Sequence, residues 1–83
     1  MQENTPSDAS LLIKDVEVCR FAGIGRATFH RLRAAGKIGP QPVRLGRAVR
    51  YRRDEVLRWI AAGCPDSASW RAMEAQHRRL RAV

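Results

Sequence analysis

Eighty-three residues, 45% hydrophobic but only 6% aromatic, suffice for one small domain with a modest, mainly aliphatic core. A formal net charge of +8 and a pI near 11.3 direct attention to a polyanionic partner, either nucleic acid or an anionic membrane surface. No apolar run approaches the ~18 residues of a membrane span, and the N-terminus lacks the charged-then-apolar order of a signal peptide, so the expected location is cytoplasmic.

In chain order, residues 1–10 are polar and read as a loose tail. Leu11 to Ile13 is a short apolar run, either a strand stub or a cap on the core. Asp15 to Ala22 reads as a first helix, broken by Gly23-Ile24-Gly25. A second helix spans Arg26 to Ala35, with Gly36 in the position that commonly ends helices. The two prolines of "GPQP" (39–42) exclude a helix there and mark an irregular connector. Val43, Leu45, Val49 and Tyr51 share one parity and Arg44, Arg50 and Arg52 the other, which predicts a hairpin with an apolar inner face, an arginine outer face and a turn at Gly46-Arg47. Asp54 and Glu55 suit the first turn of a third helix ending near Ala62, with Val56, Trp59 and Ile60 as its apolar stripe. A fourth helix runs from about Ala68, capped by Asp66 or Ser67, with Trp70, Met73 and Leu80 on a narrow stripe.

The charge is concentrated. Residues 20–53 hold ten basic groups and no acid, whereas residues 1–19 sum to −3 and residues 54–83 to +1. Fourteen of the sixteen basic residues are arginine, the side chain whose planar fork fits phosphates and base edges. Cys19, His30, Cys64 and His77 are spaced by 11, 34 and 13 residues, which matches no zinc pattern, and the two cysteines are expected to be free thiols.

Within the basic segment, "EVCRFAGIGRATFHRLRAAG" meets the steric requirements of a helix-turn-helix. Cys19 is small enough to admit the second helix. Gly23 turns the chain, Ile24 plugs the space between the helices, and Phe29 and Leu32 anchor inward against Val18 and Ala22. Arg26, Ala27, His30 and Arg31 then face outward near the N-terminus of the second helix, where a recognition helix reads bases. Arg26 and Arg31 can each fork onto guanine O6 and N7, Ala27 can touch a thymine methyl, and His30 can donate to a base or a phosphate. Thr28, Arg33 and Lys37 are placed for the DNA backbone.

The stretch from Leu11 to about Ala61, through "GIGRATFHRL", "PVRLG" and "VRYRRDEVLRWI", resembles the AlpA-type and excisionase-like winged helix-turn-helix proteins, relatives of the MerR DNA-binding domain. The resemblance implies a mainly α fold with a β-hairpin wing, and the expected organisation is a DNA-binding domain over residues 11–63 followed, over 64–83, by the extra C-terminal helix read above, for packing or self-association. It implies that Gly46 and Arg47 form the wing tip, that Arg50 and Arg52 approach phosphates together with Arg44, and that Tyr51 packs inward. Two positions depart from the family pattern. Gly25 stands where Ser or Thr often precedes the recognition helix, and Lys14 replaces the usual polar cap of the first helix.

Other functions fit less well. There is no carboxylate pair in an apolar setting, no Ser/His/Asp arrangement and no phosphate-cradling glycine loop, so no enzyme is expected, and no cofactor. A membrane-surface helix would need large apolar residues opposite its charges, and an RNA-stacking platform would need exposed aromatics. The expected partner is double-stranded DNA, bound by two or more cooperating copies, with a recombinase as a further candidate partner. The expected role is a small transcriptional regulator or an excisionase-type recombination factor; the rival from another class is a non-specific DNA-coating protein.

Overall fold

A computed structural model describes residues 10–82, so all but the last residue of the tail expected over 1–10 lies outside the described residues. The elements are β1 (Leu12–Ile13), α1 (Asp15–Ala22), α2 (Arg26–Ala34), β2 (Val43–Leu45), β3 (Ala48–Arg52), α3 (Arg53–Ala61) and α4 (Ser67–Ala82). This is the expected mainly helical, winged helix-turn-helix architecture. Its helix boundaries fall within about a residue of those read from sequence; α3 starts at Arg53, just before its two acids.

The helix-turn-helix forms as its spacing requires. α1 ends where Gly23 adopts a left-handed conformation (φ +71°), which lets the Ile24 amide donate back to the Cys19 carbonyl at 3.0 Å. A side chain at that φ would be strained, which is the local reason for glycine. After the turn, α2 buries Phe29 completely in one core with Val18, Cys19, Tyr51 and Val56, and Ile24 and Leu32 pack against that core. Burial pushes the Cys19 thiol above its ordinary pKa, as suits a residue that serves packing.

The Leu11–Ile13 run supplies a strand. Leu12 and Ile13 of β1 pair antiparallel with Arg52 and Tyr51 of β3, giving a three-stranded sheet in the order β1-β3-β2. In the wing, a two-residue turn sets the partners as Val43 with Arg50, Arg44 with Val49 and Leu45 with Ala48. Opposed residues share a face. Arg44 therefore lies on the face of Val49 and Tyr51, and Val43 and Leu45 lie on the face of Arg50 and Arg52. This corrects the alternation read from sequence, which carried one parity across the turn. A turn of even length pairs odd positions of one strand with even positions of the other. Leu45, expected inside, is accordingly 55% exposed. Tyr51 does pack inward, edge-on to Phe29 with 5.8 Å between ring centres.

The "GPQP" connector is more than a link. Ile38, Gly39 and Pro40 are buried, and Gly39 lies between the indoles of Trp59 and Trp70. Trp59 Nε1 donates to the Pro65 carbonyl (2.7 Å) and Trp70 Nε1 to Glu55 Oε2 (2.9 Å), so each ring is buried with its polar edge satisfied. α4 is further held by the Ser67 amide on the Gly36 carbonyl (3.0 Å) and by Arg58 Nη2 on Glu74 Oε1 (2.8 Å). Asp66 is the cap, accepting from the Ser69 amide at 2.8 Å, and that bond holds its carboxyl below the usual range. The first half of α4 thus packs on the domain through Trp70, whereas Met73 and Leu80, on the stripe expected from sequence, are 45% and 70% exposed.

Candidate nucleic-acid interface

α2 presents its charges outward because its anchors are fixed inward. With Phe29 buried and Thr28 and Leu32 half-buried, the exposed positions are Arg26, Ala27, His30, Arg31, Arg33 and Ala34, with Lys37 also exposed beyond the helix end. All four residues expected to read bases are therefore exposed. The helix begins at Gly25 with no side-chain cap and no acid in its first turn, so the positive end of its dipole is uncompensated from within. Arg26 Nη2 and His30 Nε2 both approach Asp15 Oδ2 of α1, at 3.4 and 3.5 Å.

Between the start of α1, α2 and β3 lies a groove of about 270 Å³ lined by Lys14, Asp15, His30, Arg33, Val49, Arg50 and Tyr51. Its basic lining comes from two elements, α2 and β3, and from Lys14 before α1. Arg50 is half-buried there, with Nη1 donating to the Val49 carbonyl at 3.0 Å. Burial pushes the Tyr51 phenol up, while the nearby Arg33 and Arg44 cations oppose that shift. Arg44 is thus brought toward the α2 side of the sheet, as the strand register requires. Gly46 and Arg47 form the exposed turn of the wing.

Arg52 stands apart from this group. It lines a different cleft, of about 540 Å³, with Val43, Glu55, Trp70 and Glu74 beside α4. Arg53 is turned onto its own domain, with its guanidinium carbon 6.0 Å from the centre of the Phe21 ring. The five arginines of "RLGRAVRYRR" therefore divide between two sides of the molecule.

Lys14 and Asp15 were read in sequence only as a helix boundary. Their place in the groove depends on how α1 crosses α2, and the spacing of apolar residues does not give that crossing. Among the described residues no salt bridge engages Arg31, Arg33, Lys37, Arg44, Arg47 or Arg50, whereas Asp54 and Glu74 both pair with Arg58 on the α3–α4 side. No group of three His, Cys, Asp or Glu residues is placed to hold a metal ion, again among the described residues. Cys19 and Cys64 are free.

A cationic helix face beside a basic β-hairpin, both carried on a helix-turn-helix, defines a winged helix-turn-helix DNA-binding domain. A family model described as a helix-turn-helix domain matches residues 16–64, more than half of the chain, and the protein belongs to that family of AlpA/excisionase-like helix-turn-helix domains. No curated protein and no solved structure matches the chain. Among the described residues, no helix is long and apolar enough to cross a membrane.

Proposed function

We propose that the protein recognises a specific double-stranded DNA sequence, with α2 in the major groove and the wing on the adjacent backbone or minor groove. The observation that carries this reading is the separation of charge: among the described residues Arg31, Arg33, Lys37, Arg44, Arg47 and Arg50 form no salt bridge and only Asp15 meets Arg26 and His30, while Asp54 and Glu74 pair with Arg58 on the α3–α4 side. Arg26, Ala27, His30 and Arg31 read base edges. Thr28, Arg33, Lys37, Arg44 and Arg50 hold the backbone, and the groove between α2 and β3 offers a seat for one phosphate. Gly46 and Arg47 follow the wing tip along the DNA. Arg52 has the weakest claim among these residues, because its cleft lies beside α4 and next to Glu55 and Glu74. The protein performs no catalysis and needs no cofactor in this role. It acts in the cytoplasm, associated with the nucleoid, as a small transcriptional regulator or as an excisionase-type factor that directs a recombinase.

The deciding experiment compares variants on the best duplex selected from a random pool and on a scrambled duplex, across a range of salt. Arg26→Ala and Arg31→Ala should each weaken binding to the selected duplex by ~1–3 kcal/mol and relax preference at one or two base pairs. Arg33→Ala, Arg44→Ala, Arg47→Ala and Arg50→Ala should weaken both duplexes alike, lowering the salt slope by about one unit per lost contact. A non-specific coating protein would yield no preferred duplex from the pool, and all six variants would then behave as the second group.

One recognition helix and one wing read few base pairs, and a genome presents roughly 10⁶ or more competing sites. Cooperative binding of two copies to neighbouring half-sites overcomes this, and the exposed Met73 and Leu80 of α4 are the proposed contact. Wild type should bind a double site with a Hill slope above one, and the Met73→Gln/Leu80→Gln double variant should bring it to one without weakening binding to a single site. Wild-type binding as two independent events would remove this part of the proposal.

A further inference from the structure

From Val18 to Arg53 the chain contains no acid, yet the cationic face does contain one. Asp15 comes to it from the first turn of α1, and a single oxygen, Oδ2, faces both Arg26 Nη2 and His30 Nε2. These are two of the four side chains assigned above to bases. Among the described residues Asp15 is also the sole acid in the lining of the α2–β3 groove, which it shares with Lys14, Arg33 and Arg50. Its side chain is 29% exposed, against 64% for Arg26, so it stands behind the arginine as seen from solvent. The first turn of α1 also holds Glu17, so Asp15 is not alone in meeting the dipole of that helix.

Two consequences follow from this placement, and both act in one direction. A guanidinium has five N–H donors, so an arginine held through Nη2 keeps others for the O6 and N7 of a guanine. The restraint also reduces the side-chain freedom that must be lost when the fork forms, which favours the oriented base contact. Meanwhile the carboxylate adds one negative charge to this face and so weakens the attraction it exerts on phosphates of any sequence. Specific contact is supported and general contact is weakened.

We infer that Asp15 is a selectivity-determining residue: it positions Arg26 and His30 for bases and suppresses binding to DNA at large. The inference rests on the assignment of Arg26 to base reading. It concerns the ratio of affinities, which a residue serving only the fold would leave unchanged.

The test uses the full chain, with Asp15→Asn, Asp15→Glu, Arg26→Ala/His30→Ala and the triple combination with Asp15→Asn. Each is titrated on the pool-selected duplex and on its scrambled counterpart at several salt concentrations, alongside a thermal melt. Asp15→Asn should bind the scrambled duplex more tightly, steepen the salt slope by up to about one unit, and lower the selected-to-scrambled ratio roughly tenfold. Asp15→Glu keeps the charge and should retain more of that ratio. In the Arg26→Ala/His30→Ala background, adding Asp15→Asn should leave the ratio where it was, because the side chains it positions are gone. If Asp15→Asn lowers melting temperature and both affinities together with the ratio intact, the role is structural and the inference is overturned. If it changes the ratio equally in both backgrounds, Asp15 does not act through Arg26 and His30. A pool that yields no preferred duplex for wild type defeats the proposed function itself, whereas a selective wild type with an equally selective Asp15→Asn defeats this inference alone.

Discussion

Trp70→Ala should remove a large share of the stability of the domain, about 3–5 kcal/mol. A chain of this size is expected to have only roughly 4–12 kcal/mol to lose, at 0.05–0.15 kcal/mol per residue. Trp70 is 4% exposed, although it belongs to a helix outside the matched helix-turn-helix region. Its removal opens a cavity against Gly39 and leaves Glu55 Oε2 without the indole donor at 2.9 Å. Trp70→Phe keeps much of the apolar volume and lacks only the donor, so it should lose distinctly less. Urea denaturation of the three proteins measures both terms. A loss below about 1 kcal/mol for the alanine variant would mean that α4 is an appendage to an independently stable domain. The same reasoning governs truncation: a chain cut after Ala68 loses Trp70 and tests folding, so self-association has to be probed at Met73 and Leu80.

The elements that could be read from sequence are those whose cause is local. Gly23, Gly36 and Gly63 mark the helix ends, and Phe29 with Val18 and Cys19 meets the spacing of a helix-turn-helix; each lies where the spacing put it. The outward residues of α2 follow from those anchors, so the exposure of Arg26, Ala27, His30 and Arg31 was also legible. The wing shows where such reading ends. Alternation along one strand is a property of the chain, but which face of β2 joins which face of β3 depends on turn length. An error of one residue there put Leu45 inside, where it is exposed, and gave Arg44 the face of Arg50 and Arg52, whereas it shares that of Val49 and Tyr51 while remaining exposed. Arg52 illustrates the same limit at longer range. It resembles Arg50 in sequence, but it pairs with Leu12 and lines the cleft beside α4, and no periodicity within residues 43–52 contains that information. Asp15 is the third instance. Its role at the site is set by a meeting with Arg26, eleven residues away in another helix.

Gly39→Ala should destabilise the protein by about 1–3 kcal/mol, a large effect for one methyl group. The added Cβ would lie 2.6 Å from Trp70 Cγ and 2.7 Å from Trp59 Cδ1 and Nε1, distances that real Cβ atoms do not tolerate. Its φ is not in the left-handed region, so the effect is steric and owes nothing to backbone strain. Neither ring can retreat freely, because Trp59 is tied to the Pro65 carbonyl and Trp70 to Glu55. Moving Trp70 also strains the Arg58–Glu74 and Ser67–Gly36 contacts that fix α4. A yielding contact should therefore detach α4 before it disturbs α2, whose core partners Val18, Cys19 and Tyr51 lie in other elements. Tryptophan emission should shift to longer wavelength in Gly39→Ala as the indoles gain water, at temperatures where far-ultraviolet dichroism still reports folded helices. Selectivity between the selected and scrambled duplexes should persist under those conditions, since no residue of the Gly39 stack belongs to the reading face. Equal stability of Gly39→Ala and wild type would show that the stack is looser than its geometry. Loss of selectivity at unchanged α2 helicity would show instead that α4 helps to hold the recognition helix in its reading position.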